Sequence, residues 1–197
     1  YKKKIWDSSV LSQRIISWVL NVDIILNKGS FDFRRNFFSS IVSQANHLKK
    51  NIKFEKNYYR RIEILTALML TGLVFKEYSE NYNIAVKELE KLVKKIFDHD
   101  GFPLTRNPSD LIFFSKYLIF CKECIKEAQE YIPEFLDNII IQNLTCLKNI
   151  STPNNQVPLF NGGSEENLQQ FSEFVKKLDF KTKNKKNIIG GIQRFKF

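Results

Sequence analysis

Apolar residues recur along residues 9–150 at the three-and-four-residue spacing of helices that bury one face. Leu11, Ile15, Trp18, Val22 and Ile25 predict a first helix over Ser9–Leu26, stopped by Asn27-Lys-Gly29. Phe33, Phe37, Ile41 and Leu48 predict a second over Asp32–Asn51, and Ile62, Leu65, Met69 and Leu73 a third over Tyr58–Tyr78. The fourth, Asn81–Phe97, is carried by Val86, Leu89, Val93 and Ile96. Ser109–Ala128 and Pro133–Ile150 complete the series.

Connections of a few residues cannot carry the chain back to the far end of the preceding helix, so neighbours in sequence should pack antiparallel. No repeat of about 34 or 40 residues is visible, which argues against tetratricopeptide and HEAT-type solenoids. After Ile150 the texture changes. Ser151–Ser164, with Pro153, Pro158, Gly162 and Gly163, reads as loop, Glu165–Leu178 as a short helix and Lys181–Lys186 as a basic linker. Ile188–Phe197 alternates like a strand that has nothing to pair with, and so suggests a β-domain beyond Phe197. The expected division is a helical domain over 1–178, then a linker and first strand over 179–197.

Composition narrows the class. The 197 residues are 43% hydrophobic and 26% charged, which places the chain among globular proteins. No apolar run reaches the roughly 20 residues that span a bilayer. The chain begins at Tyr1, followed by Lys2, Lys3 and Lys4, which reads as an excised piece. A net charge of +10 favours polyanionic partners, although much of it is Lys scattered on solvated faces, such as Lys49, Lys50 and Lys94. No dense basic stripe or nucleic-acid motif appears, so nucleic acid is the least favoured polyanion. Cys121 and Cys124 have CxxC spacing, but they lie in an apolar helical pattern with no second pair or His cluster, and read as core rather than metal ligands. No metal or cofactor is expected.

Six short segments, taken in order, carry a resemblance. They are Ser17-Trp18, Gln44-Ala-Asn-His-Leu48, Leu70-Thr-Gly-Leu-Val-Phe75, Asp100-Gly-Phe-Pro-Leu-Thr-Arg-Asn-Pro108, Pro158-Leu-Phe-Asn-Gly-Gly163 and Gly190-Gly-Ile-Gln-Arg-Phe195. Together they resemble the heparinase II/III-like polysaccharide lyases. The resemblance implies an incomplete (α/α) toroid followed by a β-sandwich of the same parent chain, in the periplasm or cell envelope, acting on acidic polysaccharide by β-elimination.

That chemistry neutralises the uronate carboxylate, removes the C5 proton with a base and protonates the departing O4. The resemblance implies an Asn-His pair at the start of the third helix, a Tyr at the start of the fifth and a His from the sandwich. Aligned on this chain, the pair falls on Tyr59 and Arg60 and the tyrosine on Asp110, so the family's catalytic set does not carry over. Asn46-His47 lies upstream, at the end of the second helix, and reads as a structural or rim feature. Arg60 and Arg61 are candidates to neutralise a carboxylate, and Tyr58 or Tyr59 to act as base or acid; the alternative is packing tyrosines and surface ion pairs. Asn107 can cap the fifth helix with Pro108 at its first position, and Arg106, beside that N-terminus, either meets an anion there or satisfies loop carbonyls. Two functions stay open: the toroid part of an acidic-polysaccharide lyase, or a non-catalytic acidic-glycan-binding or envelope protein.

Overall fold

The computed structural model describes residues 5–152, 154, 156–164, 168–178, 180, 182 and 188–193. The protein is mostly helical, at 72%, with a small two-stranded antiparallel sheet near the C-terminal end. It divides into two compact units. The first holds the chain up to Leu92 together with Cys124–Glu130, and the second holds Val93–Glu123 and the chain from Tyr131.

In the first unit lie α1 (Ser8–Leu20), α2 (Val22–Leu26), α3 (Phe31–Asn51), α4 (Tyr58–Val74) and α5 (Ser79–Ile96) as far as Leu92. Polar side chains open α1, α3 and α4 as capping rules require. Asp7 accepts from the Ser9 amide (3.0 Å), Ser30 from Phe33 (3.2 Å), and Asn57 from both Tyr59 (2.9 Å) and Arg60 (3.2 Å). α4 is the core. Every residue from Ile62 to Gly72 is buried, including Ile64, Leu65 and Leu68 at 0% exposure. Each fully buried side chain of this size contributes about 1.5–3 kcal/mol.

α1 and α3 pack on α4 and on each other. Trp18 meets Phe37 (ring centroids 5.3 Å) while Arg14 meets Gln44 (3.0 Å), so α1 and α3 run antiparallel. Ser8 donates to Glu55 (3.3 Å) and Gln13 to Glu63 (3.1 Å), which sets α1 parallel to α4. The α4–α5 hairpin is antiparallel: Arg61 pairs with Glu88 (3.3 Å), and Gly72 lies against Tyr82.

Two helix boundaries differ from the periodicity. The expected first helix breaks at Asn21, where φ is −112° and ψ is 22°, and whose side chain and backbone N–H both donate to the Ser17 carbonyl. The apolar period runs on through Val22 and Ile25, which is why the break is silent in the pattern. The third helix stops at Val74 because Phe75 is extended; a 3₁₀ turn, Lys76–Tyr78, follows.

The second unit contains the last turn of α5, α6 (Pro108–Glu127) as far as Glu123, α7 (Glu134–Ile150), α8 (Leu168–Lys177), β1 (Ile188–Ile189) and β2 (Ile192–Gln193). Lys122, near the end of α6, meets Asp137 in the first turn of α7 (2.6 Å), as a hairpin closed by a short connection requires. The C-terminal stretch corrects the expectation of an unpaired strand. Gly190 and Gly191, both at positive φ, turn the chain back so that Ile188 pairs with Gln193 and Ile189 with Ile192. Arg194, Phe195, Lys196 and Phe197, also assigned to that strand, lie outside the described residues.

Gly72 tests how tightly the α4–α5 hairpin is closed. A Cβ there would lie 2.3 Å from the Tyr82 amide nitrogen and 2.8 Å from its Cα, a collision with backbone that no rotamer relieves. Ala gains about 1 kcal/mol of helix propensity over Gly, whereas prising packed elements apart costs about 1–3 kcal/mol. Gly72→Ala is expected to destabilise on balance, read as a lower denaturation midpoint in urea. An unchanged or higher midpoint would show that the hairpin has slack.

Candidate functional site

Residues 98–108 form a loop organised around one carboxylate. Asp98 accepts from the amides of Asp100 and Phe102 (both 2.9 Å) through Oδ1, and its Oδ2 takes a hydrogen bond from the Arg106 guanidinium. Its side chain is only 10% exposed. Its backbone closes the same loop, donating to the Phe102 carbonyl (3.0 Å) and accepting from Gly101 (3.0 Å), while Leu104 donates to Ile96 (2.8 Å). Gly101 has a φ of 82°, and its site faces Gln142 of α7 so closely that a Cβ would come within 2.5 Å of the Gln142 Cβ. α7 also reaches the loop through Cys146, whose Sγ donates to the Asp100 carbonyl (3.0 Å), and through Asn143, whose amide, turned to the orientation that satisfies both its atoms, donates to the Gly101 carbonyl (2.9 Å).

From this loop α6 is launched. Asn107 caps it, accepting from the Ser109 amide (2.8 Å), and Pro108 occupies the first position, as expected from the sequence. Arg106 pairs with the carboxylate of its own loop. Its guanidinium faces Asp98 and lies over the Phe102 ring (5.6 Å), and its backbone sits at a φ of 57°. Asp110, at the position where the resemblance implies a tyrosine, is buried and accepts from the Thr105 hydroxyl (2.6 Å).

Two distant segments dock on this loop. Asn161 donates to the Arg106 carbonyl (3.3 Å), and the Ser164 amide donates to the Ser109 hydroxyl (2.9 Å). The Gly190 amide donates to the Asp100 carboxylate (3.1 Å), where Phe102 is wholly buried. Residues 100–108, 158–163 and 190–193 are thus one structural cluster although up to 90 positions separate them. His99 is turned outward, its side chain 88% exposed.

The other candidates lie in the first unit, at the start of α4. Tyr59 is 40% exposed. Arg60 pairs with Asp7 (3.4 Å), both side chains partly in water, while Arg61 turns the other way, donating to the Glu55 carbonyl (3.1 Å) and pairing with Glu88. Asp7 precedes α1, so Arg60 fastens the starts of α1 and α4 together, while Arg61 ties the start of α4 to its own preceding segment and to α5. Asn46 and His47 lie on α3 in an open concavity of about 540 Å³, with Trp6, Ser39, Val42, Ser43 and Lys50. The Trp6 and His47 rings are 5.1 Å apart and tilted by 56°. Burial pushes the Tyr82 hydroxyl pKa up, and the Glu130 carboxylate adds to the shift.

Among the described residues no group of three or more His, Cys, Asp or Glu side chains is placed to hold a metal ion, and no helix is long and apolar enough to cross a membrane. No protein-family model, curated protein or solved structure matches the chain.

Asp98 escaped the sequence reading because its partners are backbone amides and an arginine eight positions on. The one available signal was Asp98-His-Asp-Gly101, a carboxylate two residues before an amide at a glycine turn. Removing it strands two amides and a guanidinium. Asp98→Ala is expected to lower stability by about 3–5 kcal/mol, and Arg106→Ala by less, about 2–3 kcal/mol, because the two amide bonds still hold the carboxylate that it strands. Chemical denaturation checks the order; equal losses would place the weight on the ion pair instead.

Proposed function

We propose that this chain is the helical, saccharide-holding part of a heparinase II/III-like protein, its hairpins arranged as part of an incomplete (α/α) toroid. The proposed ligand is an acidic, uronate-containing polysaccharide, met in the periplasm or cell envelope. One observation carries the reading. Three of the segments on which the resemblance rests, 100–108, 158–163 and 190–193, are hydrogen-bonded into a single cluster, which supports their being parts of one inherited design rather than chance matches.

The arginines divide by what holds them. Asp98 is largely buried, so drawing Arg106 away would leave a desolvated charge and open the loop. Arg61 is similarly committed, its side chain 19% exposed and bonded to a carbonyl and a carboxylate. We therefore assign these two to positioning. The Arg60–Asp7 pair is solvated, and such pairs are worth about 0–1 kcal/mol, less than the roughly 1.5–3 kcal/mol of a charge-assisted hydrogen bond to a ligand. A uronate carboxylate can win Arg60.

In a lyase the neutralised uronate loses its C5 proton to a base, for which Tyr59 is the candidate beside Arg60. The electron pair closes the C4–C5 double bond, and O4 departs with a proton from an acid. The second reading, a non-catalytic acidic-glycan-binding protein, is favoured by Asp110, a buried loop fastening where the resemblance implies the catalytic tyrosine.

An oligosaccharide of glucuronate or mannuronate is expected to bind residues 1–197, and Arg60→Ala to weaken it about tenfold or more. A neutral oligosaccharide of equal length should be unaffected; equal weakening of both would mean a packing defect. Unsaturated uronate absorbs in the ultraviolet, so elimination needs no label. No sustained absorbance growth is expected from these residues, because lack of a matched base loses about 10²–10⁴-fold. Sustained growth abolished by Tyr59→Phe would establish the lyase and make Tyr59 its base.

A further inference from the structure

The face of α3 that carries Ser39, Ser43, Asn46, His47 and Lys50 is not used by the fold. These positions are i, i+4, i+7, i+8 and i+11, one face about 16 Å long. The side chains of Ser39, Ser43, Asn46 and Lys50 enter no hydrogen bond or ion pair among the described residues, whereas neighbouring Lys49 pairs with Glu80. Trp6 stands over this face against His47, with 47% of its surface still exposed. An indole half in water leaves part of its flat apolar surface open to a ligand.

We propose that this groove is a subsite for a carboxylate-bearing pyranose. The chemistry of its lining selects the ligand. The flat apolar indole suits the C–H face of a sugar ring, and the serine hydroxyls and the Asn46 amide offer donors and acceptors to ring hydroxyls. Lys50 is a cation with no carboxylate among the residues that line the groove, and it meets the acidic group. The concavity, about 540 Å³, falls in the range of small-ligand sites. Asp7, the next residue after Trp6, holds Arg60, so a chain seated on the indole continues toward the second solvated cation. A nucleic acid fits less well, since the groove offers one aromatic platform and one cation rather than a repeated series. The ligand class rests on the acidic-saccharide reading above; the site itself does not depend on lyase chemistry.

The test uses residues 1–197 titrated with a glucuronate tetrasaccharide, a neutral tetrasaccharide and a single-stranded oligonucleotide, followed by tryptophan emission and calorimetry. Trp6 emission should change on binding of the uronate. Trp6→Ala should weaken that ligand about tenfold or more, and Lys50→Gln should weaken it by a similar factor while sparing the neutral sugar. Both positions are exposed, and unchanged thermal unfolding of the variants confirms that the fold is intact. Uronate binding that survives both substitutions overturns the subsite and leaves the acidic-saccharide function standing. Tighter binding of the neutral sugar or the oligonucleotide through Trp6 overturns the ligand class. Absence of uronate binding in the unsubstituted protein overturns both.

Discussion

The Asp98 carboxylate is the interaction on which the second unit depends. Without it, the amides of Asp100 and Phe102 would lose their carboxylate acceptor, and Arg106, whose backbone sits at a left-handed φ of 57°, would lose its ion-pair partner. Everything downstream inherits that geometry. Asn107 can cap α6 only because Arg106 has turned the chain, and the 158–164 segment docks on the Arg106 carbonyl and the Ser109 hydroxyl that this turn presents. The hairpin likewise depends on the Asp100 carboxylate, which the turn directs at the Gly190 amide. Local hydrogen bonds to a single acid thus assemble contacts between residues far apart in sequence, and a desolvated acid with several donors holds them more firmly than any exposed pair.

The first unit is built on a different constraint. α4 is apolar around most of its circumference, so it must be enclosed, and α1, α3 and α5 are the helices described around it. Enclosure fixes the helix starts: Asp7 and Asn57 cap neighbouring parallel helices, and Arg60 bridges from one to the other. The outer face of α3 carries no such obligation. Its polar side chains are therefore available to a ligand in a way that the carboxylates and arginines of the loop cluster are not.

Helices were legible in the sequence because burial of one face imposes a period on apolar residues. Their interruptions were not, because Asn21 and Phe75 break the backbone without breaking the period. The hairpin at Ile188–Gln193 was misread for a related reason. Alternation continues across Gly190-Gly191, and only their positive φ angles reveal the reversal. In the site, the Asn107 cap and Pro108 were visible as residue types, since capping is local. The fate of Arg106 was not, because its partner lies in a separate turn whose carboxylate could equally have faced solvent. Trp6 belongs to no periodic segment and gave no signal at all, while Asn46-His47 was correctly placed at the end of the second helix but without the indole that gives it a setting.

A positive net charge does not say which cations can receive an anion; the surroundings of each partner do. Arg106 is bound to a carboxylate that solvent barely reaches, so exchanging that carboxylate for a ligand's would require dehydrating the newcomer while leaving Asp98 buried and unpaired. Arg60 faces Asp7 in water, where parting the pair returns both charges to solvent at little expense. Lys50 has no partner among the described residues to give up. Ordered by that criterion, the cations freest to receive an anion are not in the loop that carries the resemblance but at the exposed start of α4 and on the α3 face beside Trp6. The motif-bearing loop is a fastening of the second unit, and the cations with least to give up, Arg60 and Lys50, lie in the first unit; under the proposed function these are the ones that an acidic sugar would meet.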